Sequence, residues 1–490
     1  MVQDTIAAIS TGIGNAGIGI IRVSGSESVA IVDRIFCGSI RLCDAPSHSV
    51  NYGHIASFGD ECIADGGLDD DGAVTVMESK SSHRYYIDEV LVTVFRAPRS
   101  YTREDVVEIS SHGGAFVLKQ ILRQVFLAGA RPADPGEFTK RAFLNGRIDL
   151  SQAESVMDII ASDNDRMLSN SLSQLSGALS ERIRLLREEI LHEIAFMEAA
   201  LDDPEHYDLD DVYRQHLSEL VDTWRGSIGK LTASVRDGRL MRDGVRTVIV
   251  GRPNAGKSSL LNALAGTERA IVTDIPGTTR DAIEEKIRLH DLVLAVTDTA
   301  GIRDTDNLVE QLGVEKSLRE MEQADLILYM VDINEPLQDE DGLIVGKLDM
   351  DKTLLLLNKV DKMLKNSSII EDFFTANPVF PTELKDRAVL ISAKEQSGFQ
   401  VLADRIHQLI DMDFVDNHVD IYITNERHAH LLRAAEVSLQ YVEKSIHDCM
   451  PEDLLTGDLM DAYESLGFII GESLEDDLVD KIFSDFCMGK

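Results

Sequence analysis

The residues best suited to chemistry form one run, Gly251-Arg252-Pro253-Asn254-Ala255-Gly256-Lys257-Ser258, with the spacing G-x-x-x-x-G-K-[ST]. Glycines let backbone N–H groups turn toward phosphate oxygens, and a helix starting there adds a favourable dipole. Lys257 is placed to reach β- and γ-phosphates, and the Ser258 hydroxyl to ligate Mg²⁺. Further segments follow in chain order. Gly277-Thr278-Thr279-Arg280 offers a threonine to the metal. Asp298-Thr299-Ala300-Gly301 offers an aspartate to the metal's water and a glycine N–H to the γ-phosphate. In Asn358-Lys359-Val360-Asp361, the last carboxylate suits the N1–H and exocyclic amine of guanine. Adenine lacks that donor pair, and leaving a buried Asp unpaired can discriminate by about 10⁴ or more. Ser392-Ala393-Lys394 would back the base. Together these segments predict GTP over ATP.

Each segment needs a strand in front of it. Val245–Val250 precedes the phosphate loop, and Ser259–Leu264 continues it as a helix. Leu292–Val296, Thr353–Leu357 and Val389–Ile391 are short apolar runs placed ahead of the Asp298, Asn358 and Ser392 segments. Strand–helix alternation from Val245 to about Ile410 predicts an α/β sheet domain. From Asp149 to about Asp203 the period is helical, with Ile183, Leu186, Ile190, Ile194 and Met197 on one stripe. A second helical stretch covers about Val212 to Met241, and the tail from His428 is helical again. The economical picture is an α/β domain inserted into a helical domain. The first 150 residues mix strands (Gly19–Val23, Val90–Phe95, Val106–Ile109) with a helix at Phe116–Ala128, while 59–86 reads as a loop excursion. The expected fold is therefore multidomain α/β plus α. Its segments are an N-terminal α+β domain at 1–148, a helical domain split into 149–240 and 412–490, and an inserted Ras-like P-loop domain at 241–411.

Hydrolysis poses a separate question. Ras-like enzymes orient water with a Gln directly after the D-x-x-G segment, and here that position is Ile302. The sequence points to no arginine finger. Glu310 and a cation held near Asn254 are candidates for those two roles.

The chain has 490 residues, so several cores are expected. No run of 18 apolar residues predicts a membrane span, and no basic segment precedes the first apolar stretch to predict a secretory signal. Five scattered cysteines suggest neither a disulfide framework nor a zinc pattern, which fits a reducing cytoplasm. A net charge of −37 argues against a broad nucleic-acid surface on this chain alone.

Several longer stretches resemble one family, the bacterial and organellar tRNA modification GTPases MnmE, also called TrmE. They are Asp4-Thr5-Ile6-Ala7-Ala8, Gly17-Ile18-Gly19-Ile20-Ile21-Arg22-Val23-Ser24-Gly25, Ser100 through Glu108, His112-Gly113-Gly114, Arg131 through Thr139, Arg141 through Leu150, and the ending Phe486-Cys487-Met488-Gly489-Lys490. The likeness covers essentially the whole chain. It implies an N-terminal folate-binding and dimerisation domain and a homodimer whose GTP-bound domains pair, with K⁺ in place of an arginine finger. Asn254, Thr273, Ile275 and Thr278 would hold K⁺, and Ser258 and Thr279 Mg²⁺. The nucleotide would touch Asn254 through Ser259 (Ala255, Gly256, Lys257 and Ser258 included) and Asp274, Pro276, Gly277, Thr278 and Thr279. Glu310 would orient the water. Arg22, Glu108, Arg147 and Lys490 would hold a 5,10-methylene-tetrahydrofolate or its 5-formyl analogue, since carboxylates of a glutamate tail suit Arg and Lys. Cys487 would be a chemically active thiol. The family modifies C5 of the wobble uridine of certain tRNAs together with MnmG (GidA), an FAD-binding partner. Departures from the pattern are Met488, Arg147 where Lys is also common, and a Thr11–Gly17 loop without the usual prolines and basic residue. The alternative is a regulatory or ribosome-assembly GTPase, although no basic RNA-binding module or second GTPase domain accompanies the nucleotide segments.

Overall fold

β-Branched residues at alternate positions build the first sheet, and a helical stripe covers it. The computed structural model describes residues 4–12, 14, 16–58, 86–203, 211–267, 284–289, 292–297, 320–362, 369–410, 421–472, 476–484, 486 and 489. It divides into two units, Met1–Met157 with Gly467–Lys490, and Asp158–Leu466.

In the first unit, β1 (Ile6–Ile9), β2 (Ile18–Ser24), β3 (Phe36–Gly38), β4 (Ser49–Ala56), β5 (Tyr86–Phe95), β6 (Val106–His112) and β7 (Arg131–Pro132) form a sheet in the order β3-β4-β5-β6-β2-β1-β7. All pairs are antiparallel except β1 with β7. Helix α1 spans Ser28–Asp33, and α2 spans Ala115–Leu127. Leu118, Ile121 and Val125 of α2 are buried in one core with Ile21, Val23, Val92, Val94, Val107 and Ile109. Helix α3 (Glu137–Leu144) and the start of α4 (Leu150–Ala161) complete the fold. The end of the chain belongs here, because Val479, Phe483 and Phe486 are buried with Leu150 and Ala153. Gly489 has φ +85°, and a Cβ on it would lie 2.2 Å from the Ile9 carbonyl oxygen, so only glycine fits against β1. The apolar face of the last helix thus packs on the start of α4.

In the second unit the helices are α5 (Asp165–Leu175), α6 (Ala178–Asp202), α7 (Asp211–Ala233) and α8 (Val235–Asp243). Their buried stripes, such as Leu217, Val221, Trp224, Ile228 and Leu231 on α7, follow the helical period. The α/β part begins at β8 (Val245–Val250) and α9 (Lys257–Thr267), followed by β9 (Glu284–Leu289), β10 (Leu292–Thr297) and β11 (Leu326–Asp332). Then come α10 (Asp339–Val345), β12 (Thr353–Asn358), α11 (Ile369–Ala376), β13 (Ala388–Leu390) and α12 (Phe399–Ile410). The strand order is β13-β12-β11-β8-β10-β9, parallel except for β9 with β10. Strands β11 and β12 are buried at every residue, as expected for a parallel sheet covered on both faces. The chain runs from β8 to β10 on one side and then to β11 on the other. That reversal opens a crevice at the strands' carboxyl ends.

Helices α13 (Glu426–His447) and α14 (Glu452–Ile470) follow, with α15 (Asp476–Ser484) in the first unit. The segment at Tyr422–Ile423, beyond the α/β part, is held through its backbone by side chains of the helices. Asn170 donates to the Tyr422 carbonyl at 3.1 Å and accepts from its N–H at 2.9 Å, and Ser234 accepts from Ile423 N–H at 3.1 Å. Among the described residues no helix is long and apolar enough to cross a membrane. Cys43 and Cys449 are free, whereas Cys37 is disulfide-linked, a pairing that scattered spacing did not suggest.

Candidate functional site

The phosphate loop leaves β8 in backbone conformations that its residues were chosen to allow. Asn254 has φ +64° and Gly256 φ +109°. A Cβ at Gly256 would fall 2.2 Å from Asn358 Nδ2, so the glycine is required twice, for φ and for space. Asn358 lies at the end of β12 and is 2% exposed. Its Nδ2 donates to the Ala255 carbonyl at 2.7 Å, and its Oδ1 accepts from Ala393 N–H at 3.1 Å. One buried amide thus ties the phosphate loop, the Asn358–Asp361 segment and the Ser392–Lys394 segment together.

Lys257 opens α9 and folds back, its ammonium donating to the carbonyls of Gly251 and, at 3.0 Å, Arg252. Burial lowers its pKa, and among the described residues no carboxylate offsets that burial. A phosphate would supply the missing negative charge. Ser258 and Asn254 are exposed at the same loop. They fit the hydroxyl and amide ligands expected of a Mg²⁺ and a K⁺ site, respectively.

At the base end, Asp361 accepts from the Ser392 hydroxyl at 2.7 Å, and that bond holds its carboxyl below the ordinary range. It is ionised at neutral pH and can take two donors. Lys359, at φ +66°, pairs with Asp332 at 2.6 Å. Burial pushes the Asp332 carboxyl up, but Lys359 and the Asn334 N–H and amide pull it lower overall. Asn334 also donates to the Lys359 carbonyl at 3.1 Å. Sequence reasoning missed Asp332 and Asn334. Their signal was an Asp-x-Asn turn directly after the apolar run Leu326–Val331.

The first unit gathers a second cluster. Arg22 on β2 and Glu108 on β6 are cross-strand partners, and both Nε and Nη2 of Arg22 reach Glu108 Oε1 at 2.9 Å. The Arg22 guanidinium lies 5.0 Å from the Tyr101 ring centroid, and that of Arg147 lies 4.8 Å from it. Arg147 also donates to the Tyr101 carbonyl at 2.6 Å. Behind them Arg141 bridges Asp4, Glu104 and Glu137 at 2.8, 3.1 and 3.0 Å. Ser24 joins Thr102 and Glu104, both at 2.7 Å. The segments 100–108 and 141–150 are therefore one ion-paired support beneath a partly exposed pair of arginines.

Two family models match the chain, the GTP-binding protein TrmE N-terminus over residues 5–147 and the MnmE helical domain over residues 150–487. The tRNA modification GTPase MnmE of Lachnoclostridium phytofermentans is 46% identical over all of both chains. The proteins of that name from Lactobacillus johnsonii and Geobacillus kaustophilus are 42% and 41% identical over 99% of this chain, and over 98% and 99% of their own lengths. This chain belongs to the MnmE family.

Membership makes it a GTP-binding GTPase of tRNA modification, with the multidomain architecture described above. Of the residues that the MnmE likeness and the nucleotide motifs nominate, the structure brings together Gly256, Lys257, Asn358, Asp361, Ser392 and Ala393 in one unit, and Arg22, Glu108 and Arg147 in the other. Ser259 and Lys394 are exposed beside their segments. Thr273, Asp274, Ile275, Pro276, Gly277, Thr278, Thr279, Asp298, Thr299, Ala300, Gly301, Ile302, Glu310, Cys487 and Lys490 lie outside the described residues, as does nearly all of the 59–86 loop.

Proposed function

We propose that this chain, as a cytoplasmic homodimer with an FAD-binding partner of the MnmG kind, adds an aminomethyl or carboxymethylaminomethyl group to C5 of the wobble uridine of certain tRNAs. GTP hydrolysis drives the cycle, and a tetrahydrofolate donates the carbon. The observation carrying this reading is the Arg22–Glu108–Arg147 cluster, present in the same chain as a phosphate loop tied by Asn358 to the guanine-side segments.

Glu108 accepts donors of a pterin edge, and Arg22, already neutralised by it, orients that carboxylate. Arg147 is exposed and has no carboxylate partner among the described residues, so it suits an anionic glutamate tail. In this reading Lys490, as the MnmE likeness implies, is a second cation for the tail. A bound folate supplies the one-carbon unit, and FAD on the partner supplies the redox chemistry. In the nucleotide site Asp361 selects guanine, Lys257 meets the phosphates, and Ser258 with Thr279 holds Mg²⁺. Asn254, Thr273, Ile275 and Thr278 hold K⁺, whose charge replaces an arginine finger. Glu310 orients water where Ile302 cannot. Dimerisation through the first sheet is supported by its outer face, where the paired residues Tyr52 and Leu91 and nearby Val50 are 58%, 47% and 62% exposed.

Reconstitution tests this reading. The full chain, the flavoprotein, a folate donor, GTP, K⁺ and unmodified tRNA should yield the C5-substituted uridine. Turnover of GTP without any change in the nucleoside would leave a regulatory GTPase instead.

A further inference from the structure

Among the described residues, one aromatic side chain contacts both Arg22 and Arg147. Tyr101 presents its ring to Arg22 at 5.0 Å and to Arg147 at 4.8 Å, and its carbonyl accepts from Arg147 at 2.6 Å. Its own hydroxyl is hydrogen-bonded to Thr139 Oγ1 at 2.9 Å, and Thr139 is fully buried on α3. The ring is thus fixed from behind by a buried partner.

The two guanidiniums differ in what else holds them. Arg22 has Glu108 and a second ring, Phe138, at 5.7 Å. Arg147 sits on an exposed segment, where a free arginine would sample many rotamers. Among the described residues Tyr101 supplies its two contacts, one to the ring face and one to the carbonyl. The negative face of the ring also eases the crowding of two cations.

We infer that Tyr101 is the positioning residue of the folate site, its ring pre-setting Arg22 and Arg147 so that an anionic, heterocycle-bearing ligand meets both without first ordering them. This rests on the folate reading above and adds to it. Tyr101 acts through the arginines. Pre-ordering of this kind raises affinity by removing an ordering cost from the binding step. A ring contacting two exposed or half-exposed cations contributes about tenfold in affinity.

The test uses the full chain and 5-formyltetrahydrofolate as probe, with binding measured by titration calorimetry and folding by thermal melting. Tyr101→Leu is expected to bind the probe about tenfold more weakly. Tyr101→Phe keeps the ring and the carbonyl and is expected to remain within about twofold of wild type. Rescue by the phenylalanine is the readout that a generally structural role for the hydroxyl would not give. A loss of about tenfold in Tyr101→Phe relative to wild type would assign the effect to the Thr139 hydrogen bond and overturn the inference, and that comparison holds even if the leucine variant fails to fold. Wild-type affinity in Tyr101→Leu, beside a loss in Arg22→Ala, would overturn the positioning role alone. Wild-type affinity in Tyr101→Leu, Arg22→Ala and Glu108→Gln together would remove the folate reading beneath it.

Discussion

Replacing Asn358 with alanine should cost the α/β part of the chain more stability than nucleotide affinity. The substitution removes the donor to the Ala255 carbonyl and the acceptor for the Ala393 N–H. Both residues are buried, at 3% and 5% exposure. An orphaned buried polar group costs about 1–3 kcal/mol, so the pair costs about 2–6 kcal/mol. The nucleotide crevice lets water reach part of the gap, which favours about 2–4 kcal/mol. For a unit of some 150–250 residues each kcal/mol moves the melting temperature by about 2–4 °C, so the α/β transition should fall by roughly 5–15 °C. The free protein already makes both bonds, so only re-ordering of the loop is charged to binding. That share is about 1–2 kcal/mol, or about 5–30-fold in affinity. Scanning calorimetry of the full chain and titration with a fluorescent GDP analogue read the two quantities separately. Gly256→Ala supplies the control, because its Cβ would meet Asn358 Nδ2 at 2.2 Å. Its cost in the Asn358→Ala background should be smaller than alone, the remainder being the φ of +109°. A melting temperature and an affinity both unchanged in Asn358→Ala, or strict additivity in the double variant, would refute the tie.

Other outcomes follow from the same geometry. Asp361→Asn should weaken GTP binding at least tenfold and admit xanthosine nucleotides, since the carboxylate that Ser392 holds ionised is lost; competition binding decides it. Burial lowers the Lys257 pKa and a bound phosphate raises it, so binding takes up a proton between the two values. Nucleotide affinity should therefore fall as pH rises through the lowered pKa of the free protein. Lys257→Arg should flatten that profile in titrations over the alkaline range, and an unchanged slope would count against it. GTP turnover should be several-fold faster in K⁺ than in Na⁺ at equal ionic strength, and equal rates would remove the cation proposed at Asn254.

Much of the α/β framework was legible because its signals are local. Val245–Val250 and the phosphate loop sit side by side in sequence, and buried parallel strands read as unbroken apolar runs such as Leu326–Val331. The helical stripes of α6 and α7 were legible for the same reason. What was hidden depends on single polar residues meeting over long separations, with no period to announce them. Asn358 reaches Ala255 across 103 positions, and Arg22 reaches Glu108 across 86. Tyr101 looked like one residue of a motif, and its pairing with both arginines appears only when β2, α3 and the 100–108 segment are assembled. The last helix was legible by its period, yet period does not name the side chains that its apolar face meets. Phe483 and Phe486 are buried beside Leu150.

The central claim is that GTP binding in one unit and folate binding in the other serve modification of tRNA. Mass spectrometry of total tRNA nucleosides from a strain lacking this chain tests it most directly. The C5-aminomethyl or carboxymethylaminomethyl uridines should be absent, return with the wild-type chain, and stay absent with Lys257→Ala or with Arg22→Ala. Nucleosides unchanged by the deletion would contradict the account.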